Sequence, residues 1–169
     1  YLPPFETDNE MQVVTAWQVL NREVRVGGKV LVCDWRSDWI GPGVAELLAR
    51  EGSQVDLAVN GLYMGEALPF YVRDATAAAL HRLGVRVTSY ARLVGSFGDT
   101  VFMQHTASEL PIEFEGVETL VLSTGHLPFD GLRAEIAAMG IECHPVGDCQ
   151  TPRTAEEAVY EGMLAGRSV

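Results

Sequence analysis

Three short stretches hold the residues whose types and spacing could do chemistry. In the first, Asp34 and Asp38 precede Gly41 and Gly43, which flank Pro42. In the second, Ser123 and Thr124 lead to Gly125. In the third, Gly147 and Asp148 stand a few residues ahead of Arg153 and Thr154. Glycines before a helix let a backbone approach a phosphate closely, and the free N–H groups of a first helical turn attract an anion. A carboxylate at the C-terminal end of a strand, as at Asp148, can accept hydrogen bonds from a ribose or ribitol hydroxyl. Asp148 also reads as a helix or turn cap. The chemistry these stretches suggest is the holding of a nucleotide, not the making or breaking of a bond.

The elements that must position them follow from the apolar pattern. Gly28 to Asp34 is an apolar run rich in β-branched residues, which reads as a buried parallel strand. After the loop, Val44, Leu47 and Leu48 fall at helical spacing, with Pro42 suited to a first helical position. Gly52 ends that helix and Gln54 to Val59 is the next strand, completing a βαβ unit. Pro69 opens a helix through Leu83 with Gly84 just past its end, and Val85 to Thr88 is a third strand. Tyr90 to His105 reads as an antiparallel hairpin about Gly98 and Asp99, with a further short strand near Ile112 to Phe114. Val117 to Ser123 is a buried strand, Leu132 to Met139 a helix closed by Gly140, Ile141 to Val146 a last strand, and Thr154 to Ala165 a last helix.

At the start, Pro3 and Pro4 keep Tyr1 to Glu6 extended. Thr7 and Glu10 match a capping box ahead of a helix from about Asp8 to Glu23, with Val13, Val14, Trp17 and Leu20 on one face. Trp17 reads as a core anchor in preference to a ligand stacker. The class is α/β: a Rossmann-like, three-layer parallel sheet with a small antiparallel meander.

The first loop departs from a dinucleotide fingerprint. G-x-G-x-x-G directly after a strand gives a tight turn and lets the backbone reach a pyrophosphate. Here the strand runs into WRSDWIGPG. Trp35 and Trp39 are bulky, Asp34 and Asp38 are anionic, and only Gly41 and Gly43 remain at the helix entrance. The second strand ends in Val59 and Asn60, without the carboxylate that usually holds a ribose; Asn60 offers one weaker hydrogen bond.

Composition sets limits on partners. The 169 residues carry a formal net charge of −11, which repels phosphate backbones and anionic lipid, so neither nucleic acid nor a membrane surface is an expected partner. No apolar run is long enough to span a bilayer, and the acidic start YLPPFETDNE lacks a signal peptide's apolar region. The three cysteines, Cys33, Cys143 and Cys149, form no C-x-x-C pair, which favours a reducing cytoplasm over a disulfide framework. Cys143, His144 and Cys149 match no usual zinc spacing, so no metal is expected. G-x-S-x-G, H-E-x-x-H and the P-loop are all missing, and His81, His105 and His126 read as structural, so no catalytic residue is assigned.

Taken together, the loops resemble a known family. VETLVLSTGHLPFD resembles the second A-T-G-x-x-P segment of flavoproteins with two dinucleotide domains, and HPVGDCQTPRTAEEAVYEGMLAG resembles their flavin-side G-D motif and the helix after it. The form is similar to the C-terminal region of the trimethylamine dehydrogenase, histamine dehydrogenase and 2,4-dienoyl-CoA reductase family. KVLVCDWRSDWIGPGVAELLAREGSQVDLAV resembles that family's inserted nicotinamide-domain-like lobe. The resemblance implies an FAD/NAD(P)-binding type of fold, with residues 1–27 and 118–169 in a partial flavin- or ADP-binding lobe and 28–117 in the inserted lobe. It implies ADP or FAD, or NAD(P)H, as ligand, resting on Gly125, Gly147, Asp148, Arg153 and Thr154, with Gly41 and Gly43 at the other loop. FMN, an iron–sulfur cluster and a barrel domain would lie in an N-terminal part of the parent, whose further partners would be a second copy and an electron-acceptor protein. The degenerate loop resembles the amine dehydrogenases more than the NADPH-fed reductases. Three roles stay open: the nucleotide-binding portion of an amine-oxidising flavoprotein, a docking module that binds no nucleotide, and a working NAD(P)H lobe.

Overall fold

Lys29–Asp34 is the strand around which residues 10–125 pack. Val30, Leu31 and Val32 are fully buried and Cys33 nearly so, because both faces of this strand are covered. The computed structural model describes residues 5–8 and 10–168; the extended reading of Tyr1 to Glu6 falls mostly outside them. In chain order the elements are β1 (Glu6–Thr7), β2 (Gln12–Thr15), α1 (Ala16–Leu20), β3 (Lys29–Asp34), α2 (Ile40–Arg50), β4 (Gln54–Val59), α3 (Phe70–Arg82), β5 (Arg86–Thr88), β6 (Ala91–Phe97), β7 (Thr100–His105), β8 (Pro111–Phe114), β9 (Thr119–Ser123), α4 (Gly131–Ala138), a 3-10 turn (Gly147–Cys149) and α5 (Ala155–Ser168).

A parallel sheet of order β2-β9-β3-β4-β5 forms the middle layer, with Val30 opposite Val55 and Thr119. Side chains alternate across it. Val30 and Val32 meet Val44 and Leu48 of α2 and Leu80 of α3 on one face, while Leu31 and Cys33 meet Val101 and Met103 of β7 on the other. The third layer is a mixed sheet of order β1-β6-β7-β8, in which β6, β7 and β8 run antiparallel as a meander and β1 pairs parallel to β6. The architecture is the α/β, Rossmann-like arrangement with a parallel sheet and a small antiparallel meander.

The chain divides into two compact units, the first ending at Gly125 and the second beginning at His126. Both sheets belong to the first. The second consists of α4, the 3-10 turn and α5 with their connections.

Five expectations are corrected. The long helix from Asp8 to Glu23 is instead β2 followed by the single-turn-scale α1. Its capping box is formed by Thr15 and Gln18: the Gln18 N–H donates to Thr15 Oγ1 at 3.2 Å and the Thr15 N–H to Gln18 Oε1 at 2.9 Å. Thr7 instead joins β1, its hydroxyl 3.0 Å from Ser96 Oγ. Because the helix starts at Ala16, Ala16 and Val19 take the buried positions and Trp17 lies half exposed, so it is no core anchor. Residues 141–146 form no strand: Pro145 has no N–H to give a ladder, and Ile141 is exposed. Finally, α2 begins at Ile40, which puts Pro42 in the first turn but third in it.

Candidate functional site

The loop after β3 lies at the C-terminal edge of the parallel sheet, where open α/β sheets receive ligands. Two backbone bonds fix it. Trp35 N–H donates to Ser123 O at 3.0 Å, tying it to the end of β9, and Ala67 N–H donates to Ser37 O at 3.0 Å. The carboxylate of Asp34 turns back into the loop. Its Oδ1 accepts from Arg36 N–H at 3.1 Å and Ser37 N–H at 2.9 Å. Asp38 Oδ1 accepts from Ile40 N–H at 2.9 Å, and its Oδ2 lies 2.9 Å from Arg36 Nε. Gly43 N–H is bound to Trp39 O at 3.0 Å, and Pro42 has no N–H to offer.

Gly41 serves the same carboxylate. A Cβ built there would stand 2.6 to 2.8 Å from the Asp34 side chain, so glycine is needed for Asp34 to lie against the first turn of α2. No atom crowds Gly43. Asp34 is 2 % exposed, and its Oδ2 is buried without a hydrogen-bond partner. Burial raises its pKa to about 7, and the Asp38 charge adds to this; the N–H bonds from Ser37 and Arg36 and the Arg36 charge act the other way. Around this buried acid, Trp35 and Trp39 are exposed.

At the end of β4, Glu66 folds back over the loop and accepts from Leu62 N–H at 2.6 Å, with its carboxylate against Gly61. A carboxylate thus reaches the strand end that carries only Asn60 in sequence. Nothing in the local pattern announced Glu66, since its approach depends on the turn between them.

Gly125 follows the end of β9 in the first unit. The other four candidate residues sit together in the second. Gly147 is buried, with a left-handed φ of +65°, and a Cβ on it would come within 3.0 Å of Ala158 on α5. Its N–H donates to Glu161 Oε2 at 2.7 Å, and the same carboxylate pairs with the Arg153 guanidinium. Arg153 N–H approaches Asp148 Oδ1 at 3.3 Å, and the Asp148 side chain is otherwise open to solvent. Thr154 caps α5, accepting at its hydroxyl from Glu156 N–H while Glu157 accepts from Thr154 N–H at 3.0 Å. Sequence reading missed Glu161; its partner Gly147 lies on the preceding turn. It passed over Glu157, although Thr154-x-x-Glu157 is a readable capping box.

Among the described residues no cluster of three or more His, Cys, Asp or Glu could hold a metal ion, and no helix is long and apolar enough to cross a membrane.

No protein-family model matches the chain. Bilirubin reductase of Mediterraneibacter gnavus is 28% identical over 168 residues, which is 97% of this chain and 25% of that protein. Dimethylamine dehydrogenase of a Hyphomicrobium species is 26% identical over 184 aligned positions, 93% of this chain and 25% of that protein. The structure of histamine dehydrogenase from a Rhizobium species superposes over 100% of this chain and 28% of its own, with a TM-score of 0.85 at 19% identity. Homologues of this chain include bilirubin reductase and dimethylamine dehydrogenase. The homologues are oxidoreductases, and the chain spans about a quarter of the length of the curated relatives it matches.

Proposed function

We propose that this chain is the nucleotide-binding part of a larger flavin-dependent oxidoreductase of amine-dehydrogenase type, in which the loop after β3 no longer takes NAD(P)H. One observation carries this reading. The N–H groups of Arg36, Ser37 and Ile40, which a pyrophosphate would need, are already held by the carboxylates of Asp34 and Asp38. Above neutral pH, where Asp34 is ionised, a second anion there would meet two negative charges and no free donor among these three.

ADP or FAD is assigned instead, by motif position, to Gly147, Asp148, Arg153 and Thr154 of the second unit. The donor set fits. Asp148 keeps an exposed carboxylate that can accept from a ribose or ribitol hydroxyl, and Arg153, though paired with Glu161, is 40% exposed and can face a phosphate. A flavin supplies the electron-accepting ring when bound. FMN and an iron–sulfur cluster belong to the parent's barrel domain in this reading.

Titration calorimetry with ADP, FAD, NADH and NADPH tests the assignment. We expect heat from ADP or FAD and none from the nicotinamide nucleotides. Asp148→Ala should weaken the binding by about 1 to 3 kcal/mol, the worth of a hydrogen bond to a charged group. Unchanged affinity in Asp148→Ala would remove Asp148 from the site. Silence from all four nucleotides would favour a docking module.

The 28% identity to bilirubin reductase supports a second reading, a working NAD(P)H lobe. Binding of NADH or NADPH would establish it in place of the first.

A further inference from the structure

We propose that the Asp34 carboxylate is a built-in occupant of an anion site: it fills the place at the N-terminus of α2 that the pyrophosphate of a dinucleotide would take, and removing it converts the loop into one that binds pyrophosphate. The inference rests on the reading that this loop is closed to NAD(P)H, and names the group that closes it.

Three observations support occupancy over mere repulsion. First, Asp34 Oδ1 gathers two consecutive backbone donors, Arg36 N–H and Ser37 N–H, as a phosphate oxygen does in a nest of successive amides. Second, the other oxygen is pressed against the first turn of α2. A Cβ at Gly41 would come within 2.8 Å of Asp34 Oδ2, so the helix keeps a glycine where the anion sits. Third, Oδ2 is sealed from solvent and has no hydrogen-bond partner, although a turn cap needs only one oxygen. The first turn of the eleven-residue helix α2 lies beside it. Asp38 closes the flank, holding Ile40 N–H with one oxygen and Arg36 with the other. With the Asp34 side chain gone, the Arg36 and Ser37 donors and the space beside Gly41 become available together, with the Arg36 guanidinium close by.

The test compares the wild-type 169-residue chain with Asp34→Gly and Asp34→Asn, titrating each with inorganic pyrophosphate and then NADH above neutral pH. The wild type should give no heat. Asp34→Gly should bind pyrophosphate at least about tenfold more tightly than the wild type. Asp34→Asn, which keeps the volume and loses the charge, should stay silent. A folded Asp34→Gly that remains silent overturns the proposal while leaving the closed-loop reading standing. Binding by Asp34→Asn equal to that of Asp34→Gly overturns occupancy in favour of charge repulsion. Binding of NADH by the wild type overturns the closed-loop reading itself, with no variant needed. Should Asp34→Gly fail to fold, the wild type decides by NMR. The amide resonances of Arg36 and Ser37 should move with pH in step with the Asp34 carboxyl resonance, and independent movement overturns the proposal.

Discussion

Arg86 grips Asp56 through two parallel hydrogen bonds, Nε to Oδ1 and Nη2 to Oδ2, each 2.7 Å long. The pair crosses from β5 to β4 in register, and it is lopsided. The Asp56 side chain is 3% exposed and the Arg86 side chain 66%. A buried carboxylate on a sheet face is held there by a cation reaching in from the edge strand.

Removing that cation should leave the carboxylate unpaired. We expect Arg86→Ala to destabilise the chain by about 1 to 3 kcal/mol, the low end of the range for a broken charged contact because water reaches the guanidinium side. Urea unfolding of Arg86→Ala, Asp56→Asn and the double variant checks this. The loss from Arg86→Ala should shrink once Asp56 is neutral, and equal losses in both backgrounds would show that the pair is not coupled.

Asp34 makes stability depend on pH with an unusual sign for an acid. Its folded pKa is about 7, against about 3.9 in an unfolded chain. Between the two values the native state keeps a proton that the unfolded state has lost, so stability falls as pH rises. The contribution is fully present below about pH 4 and gone above about pH 7, and amounts to at most on the order of 4 kcal/mol. Asp34→Asn removes it. The stability of Asp34→Asn relative to wild type should therefore rise from about pH 4 to about pH 8. A flat difference across that window would mean the acid is ionised throughout.

The Thr15 hydroxyl caps α1, whereas the Thr7 hydroxyl meets Ser96. Thr15→Ala loses the acceptor for Gln18 N–H and should cost about 1 kcal/mol. Thr7→Ala, which loses a hydroxyl contact to Ser96 across two strands, should leave the helical signal of α1 intact. Thermal melts of the two variants, with amide exchange at Val19 and Leu20, separate these roles. Faster exchange at those amides in Thr7→Ala would restore the longer helix.

That pair also shows what could be read in advance. The central strands were legible because burial on both faces writes an unbroken apolar run, as at Val30 to Cys33 and Leu120 to Leu122. The N-terminal segment was not. A short strand followed by a short helix places Val13, Val14, Trp17 and Leu20 at the spacing of one helix face, and two Thr-led boxes compete. Residues 141–146 carry strand-like composition, but strand formation needs a partner and a donor at every other residue, which Pro145 interrupts. At the loop after β3, the sequence declares Asp34 and Asp38 hostile to a phosphate. That Asp34 would be folded beneath α2 onto its own loop amides depends on the turn at Ser37, whose φ is +53°, and no spacing rule encodes it. Glu161 reaches Gly147 from the second turn of α5 for the same kind of reason.

Gly147 should be the most sensitive position of the second unit. Its φ of +65° disfavours any side chain, and a Cβ there meets Ala158 at 3.0 Å. Gly147→Ala should cost about 1 to 2 kcal/mol from the left-handed backbone alone, and the crowding would push the turn off α5. The Gly147 N–H bond to Glu161 would lengthen with it. Hydrogen exchange reads this locally. The amides of α5 should exchange faster in Gly147→Ala, and those of β3 and β4 should not change. Glu161→Gln keeps an acceptor for the N–H but loses the charge that holds Arg153, so it should speed α5 exchange less than Gly147→Ala does. A larger effect from Glu161→Gln would show that the Arg153 ion pair, and not the turn at Gly147, fastens the helix.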